Sequence, residues 1–180
     1  MKKIKVILGS SRKGRNGKMV ADWLMNQTKS YTDKLDFELL DLADWPIPFF
    51  DNPVSPAMGG ELVGEVKKWA EKIAEADGII IITPEYNHGY PAVLKNALDV
   101  IYKEWNYKPV SFVSYGAVSA GIRAVEQLKQ VVLELKMFPM HEEVNIHFVW
   151  QAFAEDGSAT DKSLEQKAQA LLETLNNYLK

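Results

Sequence analysis

Gly78-Ile79-Ile80-Ile81-Ile82-Thr83 is the stretch whose reading decides the fold. Successive side chains of a strand point to opposite faces, so four isoleucines in a row leave neither face for water. A run of this kind suits a strand buried between two helical layers. Outward from it the apolar pattern becomes periodic. Leu62, Val66, Trp69, Ala70 and Ile73 precede it, and Leu94, Ala97, Leu98 and Ile101 follow it. Spacings of three and four put each set on one helix face.

The same alternation fills the rest of the chain. Ile4–Leu8, Phe37–Leu42 and Val110–Val113 read as strands that end in turn-forming residues, and Val144–Val149 as a weaker fifth. Between and after them lie the helical stripes Met19, Val20, Trp23, Leu24; Ile122, Val125, Leu128, Val132, Leu135; and Leu164, Ala168, Leu171, Leu172, Leu175. Strand and helix alternating five times implies a parallel sheet with right-handed crossovers. Five strands favour the doubly wound, flavodoxin-like order 2-1-3-4-5, a three-layer α/β sandwich, over a six-stranded dinucleotide-binding sheet. Ligands of such a sheet sit beyond the carboxyl ends of the strands, where the order reverses between strands one and three.

Bulk properties narrow the function further. The chain has 180 residues, no linker, no low-complexity tail and no repeat, so residues 1–180 are expected to form one domain. A net charge of −3, from 21 basic and 24 acidic residues, argues against a nucleic-acid binder, which needs a basic stripe. The absence of cysteine excludes disulfides, thiolate nucleophiles, iron–sulfur clusters and cysteine-bound zinc. No apolar run resembles a signal peptide or reaches the ~20 residues of a membrane span, so a soluble cytoplasmic protein with no membrane partner is expected.

The two loops that flank the expected crevice are Gly9–Lys18 and Thr83–Pro91. The first, Gly9-Ser10-Ser11-Arg12-Lys13-Gly14-Arg15-Asn16-Gly17-Lys18, combines three glycines, hydroxyls, an amide and four cations at a helix N-terminus. Unpaired N–H groups and the positive end of the helix dipole favour an anion there, and Arg12 and Arg15 each offer a fork to phosphate oxygens. Gly9-x4-Gly14 has Walker spacing, but Arg15-Asn16 replaces Lys-Ser/Thr, so no Mg²⁺ ligand is supplied. Gly14-x-x-Gly17 lacks the G-x-G of the dinucleotide fingerprint. A solvated basic turn is the plainer alternative.

In Thr83-Pro84-Glu85-Tyr86-Asn87-His88-Gly89-Tyr90-Pro91, Pro84 holds Thr83 extended and Pro91 suits the first turn of the next helix. The stiff aromatic turn between them suits stacking a planar ring and reading its edge through the main chain; an ordinary βα loop is the alternative. Ser114-Tyr115-Gly116-Ala117-Val118-Ser119-Ala120-Gly121 is a small-residue turn whose N–H groups suit a ligand's polar edge.

Together the three segments resemble the NADPH-dependent FMN reductase family, the flavodoxin-like group that includes quinone, azo-dye and chromate reductases. The matching pieces are GSSRKGRNGKMVADW (9–23), TPEYNHGYPAVLKNALD (83–99) and SYGAVSAGIRAVEQLKQVV (114–132). The similarity runs from Ile4 to about Leu135, and PEYN with its following P-x-x-L-K-N-A-x-D is highly specific. The resemblance implies that Ser10, Arg12, Arg15, Asn16 and Gly17 hold the FMN phosphate. It implies that Pro84, Glu85, Tyr86 and Asn87 line the isoalloxazine, with Ser114, Tyr115 and Gly116 closing its other side. It further implies hydride transfer from NADPH or NADH through bound FMN to a quinone, azo compound, metal oxyanion or flavin, in a homodimer or homotetramer. Main-chain N–H groups around Gly116 would then stabilise charge on the reduced ring. Many relatives carry a second glycine where Ala117 stands, which bears on how closely the backbone approaches the flavin.

Other features carry less. His141-Glu142-Glu143-Val144-Asn145 begins like H-E-x-x-H but lacks the second His, and no metal site is expected. No Gly-x-Ser-x-Gly elbow exists. Asp41 reads as a ribose ligand or, more simply, as a strand end; Glu85 as a general acid or, more simply, as a loop anchor. Trp105 and Tyr107 suit a dimer patch or the core equally. The rival functions are a flavodoxin-like electron carrier and a non-catalytic flavin- or redox-sensing module. The arginines of the first loop and a charge of only −3 speak against the carrier.

Overall fold

Both faces of the isoleucine run are covered. Ile80 and Ile82 point into one core with Ile4, Val6, Leu8, Val20, Leu24, Leu171 and Leu175; Ile79 and Ile81 point into a second with Ile7, Trp69, Ile73, Leu98, Phe112 and Leu128. All four isoleucines are fully buried. The computed structural model describes residues 1–180. Five strands, β1 (Lys2–Leu8), β2 (Leu35–Asp41), β3 (Gly78–Pro84), β4 (Pro109–Tyr115) and β5 (Phe138–Ile146), alternate with α1 (Gly17–Gln27), α2 (Gly64–Ala74), α3 (Ala92–Asp99), α4 (Ile122–Glu134) and α5 (Ser163–Tyr178). The sheet is parallel throughout, in the order β2-β1-β3-β4-β5. This is the flavodoxin-like sandwich that the sequence predicts. Its first core lies under α1 and α5 and its second under α2, α3 and α4.

The largest difference from expectation is β5, which runs Phe138–Ile146 rather than Val144–Val149. It is an edge strand, half-buried, with Pro139 paired near its start and a register shift against β4 between Val110 and Phe112. Charges and a bulge on an edge blunt pairing with other chains, and they also hide the strand from an apolar pattern search. The strand stops at Ile146 because Phe148 turns left-handed (φ 42°) and Val149–Gln151 closes a 3₁₀ turn. Val149 is buried from that turn, which is why it reads as strand. The Met19 and Ile122 side chains, placed in the core stripes, are exposed at the first turns of α1 and α4, whereas Leu62 and Ile101 lie just outside their helices. Lys5 interrupts β1 without leaving the sheet: its buried ammonium contacts the Glu38 carboxylate and reaches the Glu75 carboxylate at 2.8 Å. No helix is long and apolar enough to cross a membrane.

Candidate functional site

Because the strands are parallel, the loops after β1, β3 and β4 emerge from adjacent positions at one end of the sheet. The first loop leaves β1 at Gly9, whose N–H donates to Ile82 O at 2.8 Å. Asn16 precedes α1 without a side-chain cap, and the first turn carries no acidic residue. The first main-chain donor satisfied by the helix is Val20 N–H, on Asn16 O. The N–H groups of Ser10 to Gly14 and of Asn16 to Lys18 find no main-chain acceptor, so the helix dipole and a set of unpaired donors open on the same spot. Gly17 is required there: a Cβ would lie 2.4 Å from the Tyr115 hydroxyl and 3.0 Å from Ser10 Oγ.

The two arginines of this loop behave differently. Arg12 is exposed, resting one guanidinium nitrogen on Lys13 O at 3.3 Å. Arg15 lies across the end of β2 against Asp41, each side chain only 14% exposed, with its Nε buried and unpartnered. Asp41 also accepts from Ala43 N–H at 3.0 Å, so it both ends the strand and fixes Arg15.

The second loop begins as β3 ends at Pro84. Tyr86 and Gly89 exchange hydrogen bonds, Tyr86 N–H to Gly89 O at 2.8 Å and Gly89 N–H to Tyr86 O at 3.0 Å. Asn87 (φ 51°) and His88 (φ 69°) form the turn between them, two left-handed residues without a glycine. Such conformations are disfavoured outside glycine and persist where the surroundings enforce them. The enforcement comes from α4. Arg123 donates to Glu85 Oε1 from Nε (2.7 Å) and Nη2 (2.5 Å), and Gln127 Nε2 donates to His88 O at 2.9 Å. The Glu85 side chain is only 6% exposed. Burial by itself would raise its carboxyl, but Arg123, with the Ser119 hydroxyl nearby, holds it below the usual carboxylate range. The N–H groups of Glu85, Asn87 and His88 have no main-chain acceptor, and Tyr86 keeps 37% of its surface exposed beside them.

In the third loop, Ser114 is buried and its hydroxyl donates to Ala120 O at 2.8 Å. It has no second proton for Asn145 Oδ1 at 3.2 Å, so the Asn145 amide is better turned to present its NH₂. Gly116 N–H is taken by Ile146 O at 3.1 Å, which leaves Ala117, Val118 and Ser119 as the donors without a main-chain partner. Gly121 (φ 82°) permits the return into α4, since a Cβ would meet Ser114 Cβ and Tyr115 N at 2.9 Å. The Tyr115 side chain is not on this loop's surface at all. It is 4% exposed and runs beneath the first loop, its hydroxyl 3.2 Å from Ser10 Oγ.

Of the residues expected from sequence, the structure gathers Ser10, Arg12, Asn16 and Gly17 at one helix start and Pro84 to Asn87 beside it, with Gly116 across the opening. It turns the Arg15 head toward Asp41 and puts the Ser114 and Tyr115 side chains inside. Trp105 is core, fully buried, while Tyr107 is exposed. Arg123, Gln127 and Asn96 carry structural work that motif reading missed. Asn96 accepts from Phe50 N–H at 3.0 Å and donates to Pro48 O at 2.9 Å, tying the long β2–α2 excursion to α3. Arg123 and Gln127 sit four apart on one face of α4, a spacing that would have marked a shared contact.

Residues 2–151 match the family described as NADPH-dependent FMN reductase. An NAD(P)H-dependent FMN reductase of Schizosaccharomyces pombe is 47% identical over 137 residues, 75% of this chain and 68% of that protein. A 2-hydroxy-1,4-benzoquinone reductase of a Burkholderia species is 30% identical over 168 residues, 86% of this chain and 87% of that protein. Among solved structures, FerB, a flavoenzyme NAD(P)H:(acceptor) oxidoreductase of Paracoccus denitrificans, superimposes with a TM-score of 0.82 at 26% identity, covering 99% of this chain and 97% of that one. The chain belongs to the NADPH-dependent FMN reductase family. It is accordingly a flavin-dependent oxidoreductase, with FMN as cofactor and NAD(P)H as electron donor.

Proposed function

We propose that this chain binds FMN across its three loops and passes electrons from NAD(P)H to small organic acceptors, quinones first among them. The observation that carries this is the set of unpaired main-chain donors on three adjacent strand ends, arranged around an exposed aromatic face. The donor set fits the cofactor's phosphate: the helix start offers unpaired main-chain N–H groups, an exposed Arg12 and no acidic residue in its first turn.

Bound FMN would supply the hydride chemistry between the reduced nicotinamide and the acceptor. The chain's residues position and polarise. Ser10, Arg12, Asn16 and the N–H groups at the start of α1 hold the phosphate dianion, with Arg15 beside them. The Pro84–Asn87 segment offers the Tyr86 face to the ring, and the N–H groups of Ala117 to Ser119 stabilise negative charge at its polar edge by fixed dipoles. Glu85, held ionised by Arg123, has no proton to give at neutral pH and anchors the hairpin instead. No side chain here is asked to act as acid or base.

The quinone reading rests on the activity named for the Burkholderia relative and on the exposure of Tyr86; azo compounds, metal oxyanions and free flavin need only the same face. A homodimer or homotetramer, a single domain over residues 1–180 and a cytoplasmic location complete the reading. The two cores share one sheet, and NAD(P)H is an intracellular donor. The test is a flavin absorption spectrum of the purified protein, then anaerobic NADPH and a quinone. Bleaching by NADPH and recovery on quinone addition are expected. A protein that takes up no FMN overturns the reading. Stable one-electron cycling would favour an electron carrier, and bleaching without quinone turnover would favour a redox sensor.

A further inference from the structure

Three successive carbonyls of the third loop are held from one side. Val149 N–H donates to Gly116 O at 3.1 Å, and Phe148 N–H donates to Ala117 O at 3.2 Å. The ring of His147 completes the row, its Nδ1 standing 2.8 Å from Val118 O. These donors directly follow β5, where the chain turns left-handed at Phe148 (φ 42°). Such a conformation outside glycine persists where the surroundings enforce it.

A peptide unit is planar and trans, so each N–H points opposite to the carbonyl of the residue before it. Tethering Gly116 O, Ala117 O and Val118 O toward residues 147–149 therefore aims the N–H groups of Ala117, Val118 and Ser119 away from that segment. None of the three meets a main-chain acceptor, and Ala117 and Val118 are exposed, so the donors open outward. Successive N–H groups sharing one direction make a concavity that suits negative charge. The tethers are not equally secure. Ala117 O has a second donor in Ala120 N–H at 3.3 Å, whereas Val118 O has the His147 ring alone. A carbonyl only accepts, so the ring proton sits on Nδ1.

We infer that His147 is a positioning residue of the third loop: its Nδ1–H holds the Val118 carbonyl and thereby aims the Ser119 N–H, the last donor of the row, at the negative edge of a bound ring. This rests on the reading of that loop as the partner of the flavin's polar edge. The histidine lies outside all three loops, twenty-nine residues from the carbonyl it holds.

A fixed donor at that edge favours the ring when it is reduced and negatively charged over the oxidised, neutral ring. The midpoint potential of bound FMN reads this preference, and a merely structural role leaves it unmoved. His147→Leu removes the donor. His147→Asn keeps one, because the amide nitrogen stands as many bonds from the backbone as Nδ1. Potentials of the FMN-loaded full chain are measured by anaerobic reductive titration against a reference dye, with thermal midpoints to confirm folding. His147→Leu is expected to lower the reduced-to-oxidised affinity ratio about 3- to 10-fold, the worth of one net hydrogen bond. For a two-electron couple that is a shift of about 15–30 mV to more negative potential. His147→Asn is expected to stay near the wild type. Nitrogen spectra of the histidine rings in the wild-type apoprotein at pH 8 should show the His147 proton on Nδ1. An unchanged potential in His147→Leu, an equal shift in His147→Asn, or a proton on Nε2 overturns the inference. Should His147→Leu not fold, the other two decide: the proton must be on Nδ1 and His147→Asn must keep the wild-type potential. A wild-type chain that takes up no FMN overturns the flavin reading and the inference with it, whereas an unmoved potential in FMN-loaded His147→Leu overturns the inference alone.

Discussion

Replacing Arg123 by Met removes the charge that holds Glu85 while keeping the length of the side chain. Glu85 Oε1 loses two donors, and the carboxylate is too deeply set for water to replace them fully. Its other oxygen, Oε2, is buried with no hydrogen-bond partner, and the neutral Ser119 hydroxyl nearby cannot replace the lost guanidinium charge. Breaking a fully buried pair leaves a penalty of about 3–5 kcal/mol, but the Arg123 end is 48% exposed and already half-solvated. A loss of about 2 kcal/mol follows, which for a chain of this size lowers the melting midpoint by about 4–8 °C. The pH dependence carries the sharper signature. In the wild type the folded carboxyl lies below its unfolded value, so its contribution is full above the ordinary carboxylate range and is lost as pH falls through the lowered pKa. In Arg123→Met, burial acts alone and raises the carboxyl. Its contribution is then present at low pH and is lost as pH rises through the raised pKa. The gap between the two melting midpoints should therefore widen from pH 4 to pH 7, as followed by circular dichroism of the apoprotein. A constant gap across that range would refute the assignment of Arg123 as the charge partner. Loosening this hairpin should weaken FMN and riboflavin alike, because the ring and not the phosphate meets it.

Arg12→Ala should weaken FMN by about 1.5–3 kcal/mol, the range for a hydrogen bond to a charged group, and leave riboflavin untouched; titration calorimetry with both flavins checks it. Gly17→Ala should abolish tight FMN binding while the protein still folds, because its methyl group needs the space of the Tyr115 oxygen; unchanged affinity would show that the loop has room to yield. Ile81→Ala, in a core strand whose side chain is fully buried, should lose about 2–5 kcal/mol in denaturant unfolding. Lys108 donates to Ile73 O at 2.6 Å at the end of α2, and burial pulls its ammonium down to about 8. A folded pKa below the unfolded one means the folded state holds fewer protons between the two. Stability should then rise from pH 8 to pH 10 in the wild type, and that rise should vanish in Lys108→Met.

The layers and the strand order were legible because they rest on a signal that burial imposes directly. A strand covered on both faces has to be apolar throughout, and Ile79–Ile82 satisfies this with no ambiguity. The edge strand escaped the same search because only part of it is covered; its middle carries His141, Glu142 and Glu143, which are tolerated there and useful in blocking further pairing. The loops were legible as places but not as arrangements. Sequence showed two arginines after β1. It could not show that Arg15 is drawn across to Asp41, twenty-six residues further on, while Arg12 stays free. It placed Tyr115 in the third loop by proximity along the chain, whereas the alternation of β4 sends that side chain under the first. The α4 residues Arg123 and Gln127 were read as part of a family pattern with no task. Their partners Glu85 and His88 lie thirty-eight and thirty-nine residues earlier, a separation that no local rule bridges.

The positions of these long-range partners explain how the three loops are held in place while their outer faces stay open. Arg123 and Gln127 hold the hairpin from behind, Tyr115 and Asp41 hold the Gly9–Gly17 loop from below and from the side, and Asn96 ties down the neighbouring excursion. Every one of these contacts lies on the protein side of the loops. What faces outward is main-chain N–H together with the exposed Arg12, Tyr86, Asn87, His88, Ala117 and Val118. Main-chain donors recognise the invariant polar edge of a cofactor well and discriminate poorly among the molecules that follow it onto the same face. On the proposed reading, a site built in this way would fix the cofactor tightly and leave the choice of acceptor to size and redox potential. Substitutions behind the loops should accordingly change flavin affinity and stability, whereas substitutions at Tyr86 or Ala117 should change the ranking of acceptors with flavin affinity nearly preserved. Steady-state rates of both sets with quinones of graded size separate the two. An Ala117→Val variant that loses FMN as readily as Gly17→Ala would show that the outward face, too, is part of the cofactor's hold.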